Sequence, residues 1–311
     1  MALLADYILT HLVYLSILVI FAAGVVVLYG LAGVFTLGHQ GFMAIGAYFA
    51  AGIACLMPAG GSPILAAALL VASVIAGVGG AVAGGLLLTG PSVRLRGDYM
   101  ALATLAFAEI LVALIRNTEA LGGMRGLDVA SLLPRASGSA RLPILGTYAL
   151  ASVAMAAGAV LAVQRLGRSR LGIALRALRD DELAARSMGL ENRRARLISF
   201  TMGAGLCGLA GCLYAHFSGH VSPRDFGFVQ GAMVLLYVVL GGSTAVGTVC
   251  AVAVVYFLDE GLKLRCFGLL TGGLGDALVN WKDAILAGLL IALLAWRPYG
   301  LLTANRLRSE P

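Results

Sequence analysis

Long apolar runs alternate with short polar connections along most of the chain. Each run is about as long as the stretch that crosses a lipid bilayer as a helix, so the pattern predicts an all-α, polytopic membrane protein with about 8–10 transmembrane helices. For two runs the pattern permits more than one structure. The run 64–90 fits one long tilted helix or a helix plus a re-entrant piece, and the run 228–241 crosses the membrane only if it extends or tilts. The runs lie at about 8–30, 39–57, 64–90, 99–115, 144–164, 197–216, 228–241, 244–262 and 283–297.

The composition excludes a soluble domain. Hydrophobic residues make up 60% of the 311 residues and charged residues 12%, and the mean hydropathy is +0.95. We therefore expect residues 1–311 to form a single transmembrane domain. The 42 glycines are typical of helices that approach each other closely in lipid. Two sets of small residues have the spacing of packing faces: Gly80 with Gly84, and Gly203, Cys207, Gly211 and Ala215.

Basic residues indicate the side of the membrane on which each connection lies. Nine of the 22 Lys and Arg residues fall between Arg165 and Arg196, and short loops rich in Lys and Arg stay in the cytoplasm. The C-terminal tail after Arg297 is also basic and is expected on the same side. The connection 116–143 is then external, although it carries four arginines. Nine spans place the N-terminus outside, and a tenth, hidden by a broken helix, places it inside.

The cytoplasmic loop contains an amphipathic segment, Leu171–Leu190. Its apolar residues recur at spacings of three, four or seven and form a narrow stripe on a helix, with charged residues on the other faces. Gly172 and Gly189 bracket the segment as helix stops. We predict one cytoplasmic helix of about four to five turns. The apolar stripe consists of Leu171, Ala174, Leu178, Ala185 and Met188.

Three functions fit a charged amphipathic helix of this kind. It can lie on anionic lipid, with its arginines among the headgroups. Nucleic-acid binding is remote for an integral membrane protein whose basic segment has no interleaved aromatic residues. It can also dock a soluble protein. The acids Asp180, Asp181 and Glu182 favour the protein partner, because carboxylates repel an anionic lipid surface.

The chain lacks an energy source of its own. A nucleotide-binding P-loop requires Gly-x-x-x-x-Gly-Lys followed by Ser or Thr, and neither Lys263 nor Lys282 stands in that context. The spans also carry no conspicuous set of acids for coupling to protons or sodium. We therefore predict a transport subunit that is not an enzyme and binds no cofactor or metal. Its motor is expected on another subunit, docked at the amphipathic segment.

Two polar residues inside apolar runs are candidates for a transport pathway. His39 lies between Gly38 and Gly41, which permit a broken helix, so His39 either lines a pathway or gate or ties the break by a hydrogen bond. Glu109 is a carboxylate well inside an apolar run, and such a residue is a functional candidate. It is expected to face the bundle interior, either with a buried structural partner such as Arg116 or in a cavity.

Two further polar features have simpler interpretations. Asp98 precedes the run 99–115 and is expected to cap that helix. His216 and His220 have the spacing of two metal ligands on one helix, but the helix ends there and no third ligand is near in sequence. We predict no metal site.

Several segments, in this order, resemble permeases of the branched-chain amino acid ABC importer family. The resemblance covers essentially the whole chain, and the segment RLRG-x-Y makes it more similar to the M-type of the family's two permeases. The matching segments are GLAGVFTLGHQGFMAIGAYFAA (Gly30–Ala51), RLRGDYMALATLAFAEIL (Arg94–Leu111), GIALRALRDDELAARSMGL, LYVVLGGSTAVGTV and RPYGLL (Arg297–Leu302).

The resemblance implies a set of partners and a location. Such a permease works in the bacterial inner membrane with a second permease subunit, two ABC ATPase subunits that bind ATP, and a periplasmic substrate-binding protein. It implies transport of branched-chain or other hydrophobic amino acids. An ABC permease for urea, short amides or sugars is the alternative, because selectivity in these systems lies largely in the binding protein. An ion-coupled carrier fits less well.

The resemblance also implies that the amphipathic segment enters a groove on an ATPase subunit. Older ABC importers have Glu-Ala-Ala-x-x-x-Gly at this place. Here Ala184, Ala185 and Gly189 keep the spacing, but Leu183 stands where the Glu would be and Glu182 lies one residue early. The residues implied to act in ATPase coupling are Arg176, Arg179, Asp180, Asp181, Glu182, Ala184, Ala185, Arg186 and Gly189.

Overall fold

The computed structural model describes residues 2–55, 63–92, 95, 97–129, 141–242, 244–263 and 288. Within these ranges the chain is built of α-helices, with a few short turns and two very short strands. The helices are α1 (Ala2–Val25), α2 (His39–Ala54), α3 (Pro63–Ser92), α4 (Asp98–Asn117), α5 (Arg141–Arg168), α6 (Arg170–Asp180), α7 (Glu182–Ser187), α8 (Asn192–Ser218), α9 (Phe228–Leu240) and α10 (Ala245–Lys263); the strands are β1 (Leu127–Asp128) and β2 (His220–Val221).

Eight of the nine predicted apolar runs coincide with helices of the structure. The ninth run, 283–297, falls outside the described residues apart from residue 288. The run 64–90 is one continuous helix, α3, so the re-entrant alternative is wrong. The run 228–241 reaches spanning length by extension, because a 3₁₀ turn at Pro223–Phe226 precedes α9.

Six segments in the described part of the chain are long and apolar enough to cross a bilayer. Together with the absence of any larger sheet among the described residues, this confirms the prediction of an all-α, polytopic membrane protein. The segments are Leu4–Leu31, Ala68–Gly90, Tyr99–Asn117, Leu142–Arg168, Asn192–Ser218 and Pro223–Leu240.

Helix α8 lies at the centre of the bundle and packs along α1, α2 and α3. Its small residues allow this, as the spacing predicted. Gly203 faces α1, where an added Cβ would lie 2.7 Å from the Leu28 Cγ, and Gly211 faces α2, where a Cβ would overlap the Met43 carbonyl oxygen. Cys207 and Ala215 are fully buried on the same ridge. The ridge is therefore a packing surface.

Glycines also bring α2 and α3 against each other and against α8. A Cβ on Gly46 of α2 would overlap the Gly208 carbonyl oxygen of α8. The predicted pair on α3 faces α2: a Cβ on Gly80 would lie 2.9 Å from the Phe49 ring, and one on Gly84 would lie 2.8 Å from Ile45. Such close backbone approach increases dispersion contact, which holds helices together where lipid competes equally for apolar surface.

The two ends of the bundle differ in structure. At one end, β1 pairs antiparallel with β2, and the side chain of Tyr7, near the start of α1, donates a hydrogen bond to Glu260 near the end of α10 at 3.1 Å. At the other end, α5 ends and α8 begins, and α6 and α7 connect them. Because Arg179 of α6 contacts Gly30 at the far end of the first span, the amphipathic segment and the start of α1 lie at opposite ends of the bundle.

A break separates α1 from α2. Helix α1 ends in a π-helical turn, Val26–Leu31, and residues 32–38 are not helical. Backbone groups of the break are bonded inside the protein: the Leu37 N–H donates to the Thr104 Oγ1 of α4 at 3.1 Å, and the Val34 N–H donates to the Leu28 carbonyl at 2.9 Å. Irregular backbone at membrane depth requires this kind of internal satisfaction.

The capping prediction for α4 is wrong by one residue. The helix begins at Asp98, and Gly97 occupies the N-cap position with a φ of 56°. Glycine adopts this left-handed backbone conformation without steric cost, whereas an aspartate there would be strained. Asp98 is therefore the first residue of the helix and not its N-cap.

We expect Gly46→Ala to destabilise the helix bundle by about 1–3 kcal/mol, because the new Cβ forces α2 away from the α8 backbone. Gly52→Ala is the matched control, since it lies on the same helix with nothing within 4 Å of a Cβ. Fluorescence-detected size exclusion after heating would measure both. Equal melting temperatures would contradict the close-contact interpretation.

Candidate coupling site

The amphipathic segment is two helices, and the prediction of a single helix over Leu171–Leu190 is wrong. Asp181 adopts an extended conformation (φ −150°, ψ 105°) between α6 and α7. Its Oδ1 accepts hydrogen bonds from the Leu183 N–H at 2.9 Å and the Ala184 N–H at 3.0 Å, so Asp181 caps α7. A capping aspartate satisfies the free amides of a new helix, which makes the break stable.

The predicted apolar stripe is not buried as a unit, and the buried apolar residue of α6, Leu175, lies outside it. Leu175 and Ala185 are buried, whereas Leu171 is 50% exposed and Met188 is 85% exposed. Gly172 lies inside α6 and is not a helix stop, because the N-cap of α6 is Ser169. Gly189 does end α7, with a φ of 84°.

Arg176 ties α6 back to the end of α5. Its guanidinium donates to the Gly167 carbonyl oxygen at 2.6 Å and to the Gly172 carbonyl oxygen at 3.4 Å. Carbonyls in the last turn of a helix lack helical partners, and an arginine is well suited to bind them. Arg176 therefore fixes the angle between α5 and α6.

Arg179 joins α6 to the break between α1 and α2. Its Nη1 donates a hydrogen bond to the Gly30 carbonyl oxygen in the π-helical turn, and its other guanidinium nitrogens bind Asp180 at 3.1 Å. The aliphatic part of the side chain lies against Gly33, where an added Cβ would overlap the Arg179 Cγ. Gly33 also has a φ of 66°, so glycine is required there on two grounds.

A chain of polar contacts joins α7 to α8 and to the connection before α4. Asn192 donates to Glu182 Oε1 at 2.8 Å, and Arg196 donates to Asn192 Oδ1 at 3.2 Å and to the Leu95 carbonyl oxygen at 3.2 Å. Arg186 adds a long ion pair to Glu182 at 3.9 Å. Sequence reasoning missed Asn192 and Arg196 as members of the site, because their partners lie far away in the chain.

These contacts surround a cavity of about 230 Å³. The 32–35 backbone of the break, the start of α4, the inner sides of α6 and α7, and the start of α8 line it. Arg179, Glu182 and Arg196 contribute its polar wall, and Leu175 and Met100 contribute to its apolar wall. The amphipathic segment thus shares this cavity with the break before α2, with α4 and with α8.

The outer side of α7 is exposed and largely apolar. Leu183 is 74% and Met188 85% exposed, and Ala184 and Gly189 are exposed beside them, whereas Ala185 faces inward with 6% exposure. An exposed apolar surface of this kind makes the outer side of α7 a candidate for a protein contact. Leu183 was not predicted as a site residue. The sequence feature that could have identified it is its position, since Leu183 stands where the older importer pattern has Glu.

Comparison with known proteins identifies the family. A family described as branched-chain amino acid transport system, permease component, matches residues 7–294. The chain belongs to this permease family. No solved structure matches it.

The similar relatives are permeases of the same kind. The high-affinity branched-chain amino acid transport system permease protein LivM of Escherichia coli K12 is 35% identical over 93% of this chain and 68% of its own length. A probable LivM of Methanocaldococcus jannaschii is 27% identical over 78% of the chain and 70% of its own length. LivH of E. coli K12 matches only 43% of the chain, at 28% identity. The resemblance to the M-type permeases is thereby confirmed, and the protein is a component of a transport system.

In this permease His39 is buried and contacts another helix. It is fully buried at the start of α2, and its Nε2 lies 2.8 Å from the Gly231 carbonyl oxygen of α9. Gly231 is also in close contact with Gln40, whose side chain leaves no room for a Cβ there. This geometry favours the hydrogen-bonding interpretation of His39 over a pathway-lining one, since the bond holds α9 against the break.

Among the described helices Glu109 does not face an interior, contrary to the expectation that it faces the bundle interior. It lies on the exposed side of α4, and no hydrogen bond or ion pair joins its carboxylate to another residue in the described part of the permease. The proposed partner Arg116 is exposed about two turns further along the same side. A charged side chain at the centre of a span costs about 2.5–3.5 kcal/mol on insertion scales. Its exposure therefore requires a covering surface other than lipid.

The histidine pair near the end of α8 is split between two contacts. His216 lies 2.7 Å from Ser73 of α3, and His220 lies 2.9 Å from Asp128 of the β1–β2 pair. Among the described residues no cluster of His, Cys, Asp and Glu has the geometry of a metal site. Both histidines serve packing between elements.

The adjacent residues Ala184 and Ala185 differ in exposure, and this difference tests the orientation of α7. We expect Ala185→Trp to lower the melting temperature of the purified permease, because overpacking a buried site costs about 1–3 kcal/mol. Ala184→Trp should leave the melting temperature unchanged, since its side chain points to solvent. Thermal unfolding followed by size exclusion measures both variants, and an equal loss in the two would contradict the assigned orientation of α7.

Proposed function

We propose that this permease is one of two membrane subunits of a binding-protein-dependent ABC importer for branched-chain or other hydrophobic amino acids. It works in the bacterial inner membrane with a second permease subunit, two ATPase subunits that bind and hydrolyse ATP, and a periplasmic substrate-binding protein. The names of the relatives support the substrate class. The missing P-loop supports an ATPase on separate subunits.

The coupling segment, α6 and α7, docks on an ATPase subunit in the cytoplasm. The exposed face of α7, with Leu183, Ala184 and Met188, supplies the apolar contact, and Arg186 beside it fixes the register by charge. A Cβ added to Gly189 would have no atom within 4 Å, so this glycine leaves space for the partner to approach the end of α7. The basic charge of this segment and of the C-terminal tail supports placing both in the cytoplasm.

The bond from Arg179 to the Gly30 carbonyl carries the coupling hypothesis. It joins the segment that an ATPase can move to the π-helical turn, where α1 stops being regular. Irregular turns of this kind shift more readily than regular helix, and they recur at functional positions. Asp180 orients the Arg179 guanidinium, while Asp181 and Ala185 hold α7 in place. Movement of the ATPases is thereby transmitted to the break before α2 and to α9.

The docking proposal is tested by a charge on the exposed face. Met188→Asp should lower both co-purification of the ATPase subunits and uptake of radiolabelled leucine into proteoliposomes, because a carboxylate cannot enter an apolar contact without loss. Met124→Asp, at the opposite end and 59% exposed, is the control and should retain both activities. Normal leucine uptake with Met188→Asp would refute docking through this face. Uptake of urea or ribose instead of leucine by the unaltered complex would refute the substrate class.

The transmission proposal is tested at Arg179. Arg179→Ala should keep the ATPase subunits bound but lower leucine uptake per ATP hydrolysed by about tenfold, since a hydrogen bond from a charged donor contributes about 1.5–3 kcal/mol. Arg194→Ala is the control, because Arg194 is 84% exposed and, in the part of the chain that the structure describes, its ion pair is with nearby Glu191. A normal ratio of transport to hydrolysis in Arg179→Ala would show that coupling takes another route.

A further inference from the structure

Within the described part of the chain, helix α4 is packed on one side only. Thr104 and Ala108 face α2, where they lie so close to Gly38 and Gly41 that a Cβ on Gly38 would overlap the Thr104 carbonyl oxygen. Met100, Val112 and other residues of that side are buried. The opposite side of α4 is exposed along the length of a helix that is long and apolar enough to cross the membrane.

The exposed side carries a defined set of residues, here called the Glu109 face. Leu102, Ala106, Glu109, Ala113 and Arg116 follow each other at spacings of four, three, four and three, and all five are exposed. On an α-helix these spacings place them on one narrow strip. Small residues flank the carboxylate at positions 106 and 113, which lets another helix approach the α4 backbone closely at this height.

Glu109 lies near the middle of its span. In the segment Tyr99–Asn117 it is preceded by ten residues and followed by eight, which places it about 12–15 Å from either end at a rise of 1.5 Å per residue. The hydrocarbon core of a bilayer is about 30 Å thick. Lipid tails offer no hydrogen-bond donor at that depth, so the surface that covers Glu109 must be protein or a cavity formed with it.

The relatives indicate which protein covers Glu109. Two permease proteins of the branched-chain amino acid transport system of E. coli K12, LivM and LivH, both have sequence similarity to this chain. Two homologous subunits that pair about a common axis meet through corresponding surfaces. A helix with one packed and one unpacked side, small residues and an unpaired charge is suited to such a surface.

We propose that the Glu109 face is the surface on which the second permease subunit packs, and that this subunit supplies a hydrogen-bond donor or a cation to the Glu109 carboxylate. The inference rests on the proposed function, because that function includes a second permease. It adds the location of the contact and the chemistry that the partner must present at mid-membrane.

Photo-crosslinking tests the location. A photoreactive benzoyl-phenylalanine is placed at Leu102 or at Ala113, and the tagged second permease is expressed together with the chain and the ATPases. Leu150 on α5, 75% exposed, is the matched lipid-facing control. We expect a crosslinked product of both permeases from positions 102 and 113 and none from position 150. Crosslinks within this chain, for example to the 283–297 run, crosslinks between two copies of this chain, or no crosslink would each overturn the proposal.

Substitution of Glu109 tests the chemistry. Glu109→Leu should lower the amount of second permease that co-purifies by about tenfold or more, because the partner's donor is left unpaired. Glu109→Gln should largely restore it, since an amide still accepts a hydrogen bond. Full co-purification with Glu109→Leu would overturn the proposed contact. If the second permease co-purifies with the unaltered chain but crosslinks only from position 150, the contact is wrong while the proposed function stands; if it never co-purifies, both fail.

Discussion

The architecture depends on how closely α1, α2 and α3 approach α8. In lipid no hydrophobic effect drives apolar helices together, so their association relies on dispersion contacts, which require short distances. Glycine provides these distances at Gly46, Gly208 and Gly211, where backbone meets backbone without an intervening side chain. Because the centre is fixed in this way, the peripheral elements can carry irregular features. The break before α2, the divided coupling segment and the half-packed helix α4 all lie around this rigid centre.

The coupling segment is positioned by polar bonds and not by a deep apolar core. Arg176 reaches α5, and Arg179 reaches the π-helical turn. Each bond ends on a backbone carbonyl oxygen, so it depends on main-chain position and tolerates changes of side chain in the partner. A segment held in this way can move as a unit when an outside force acts on α7, since few buried apolar contacts must be broken.

Sequence reasoning found the elements but not their local exceptions. The apolar runs located eight helices, because each run has about the length that a bilayer imposes. The spacing of small residues from Gly203 to Ala215 predicted a packing face, which the structure buries against neighbouring helices. Sequence reasoning missed the break at Asp181, since a capping aspartate and a charged helix surface look alike in a pattern. It also placed Glu109 inside, because periodicity alone does not tell which side of an apolar helix is covered. Arg196 and Leu95 are about a hundred residues apart, and no local pattern could join them.

The central place of α8 has a consequence for biosynthesis. This helix spans Asn192–Ser218, so α1, α2 and α3 leave the ribosome long before the helix around which they pack. Until then these helices must remain in the bilayer without it, and among the spanning segments the hydropathy is highest for Leu4–Leu31. Consolidation of the bundle is therefore delayed until more than two thirds of the chain has been translated. During that interval the glycine-rich surfaces of the early helices are exposed to other membrane proteins, and insertion factors that shield them would have the most to contribute.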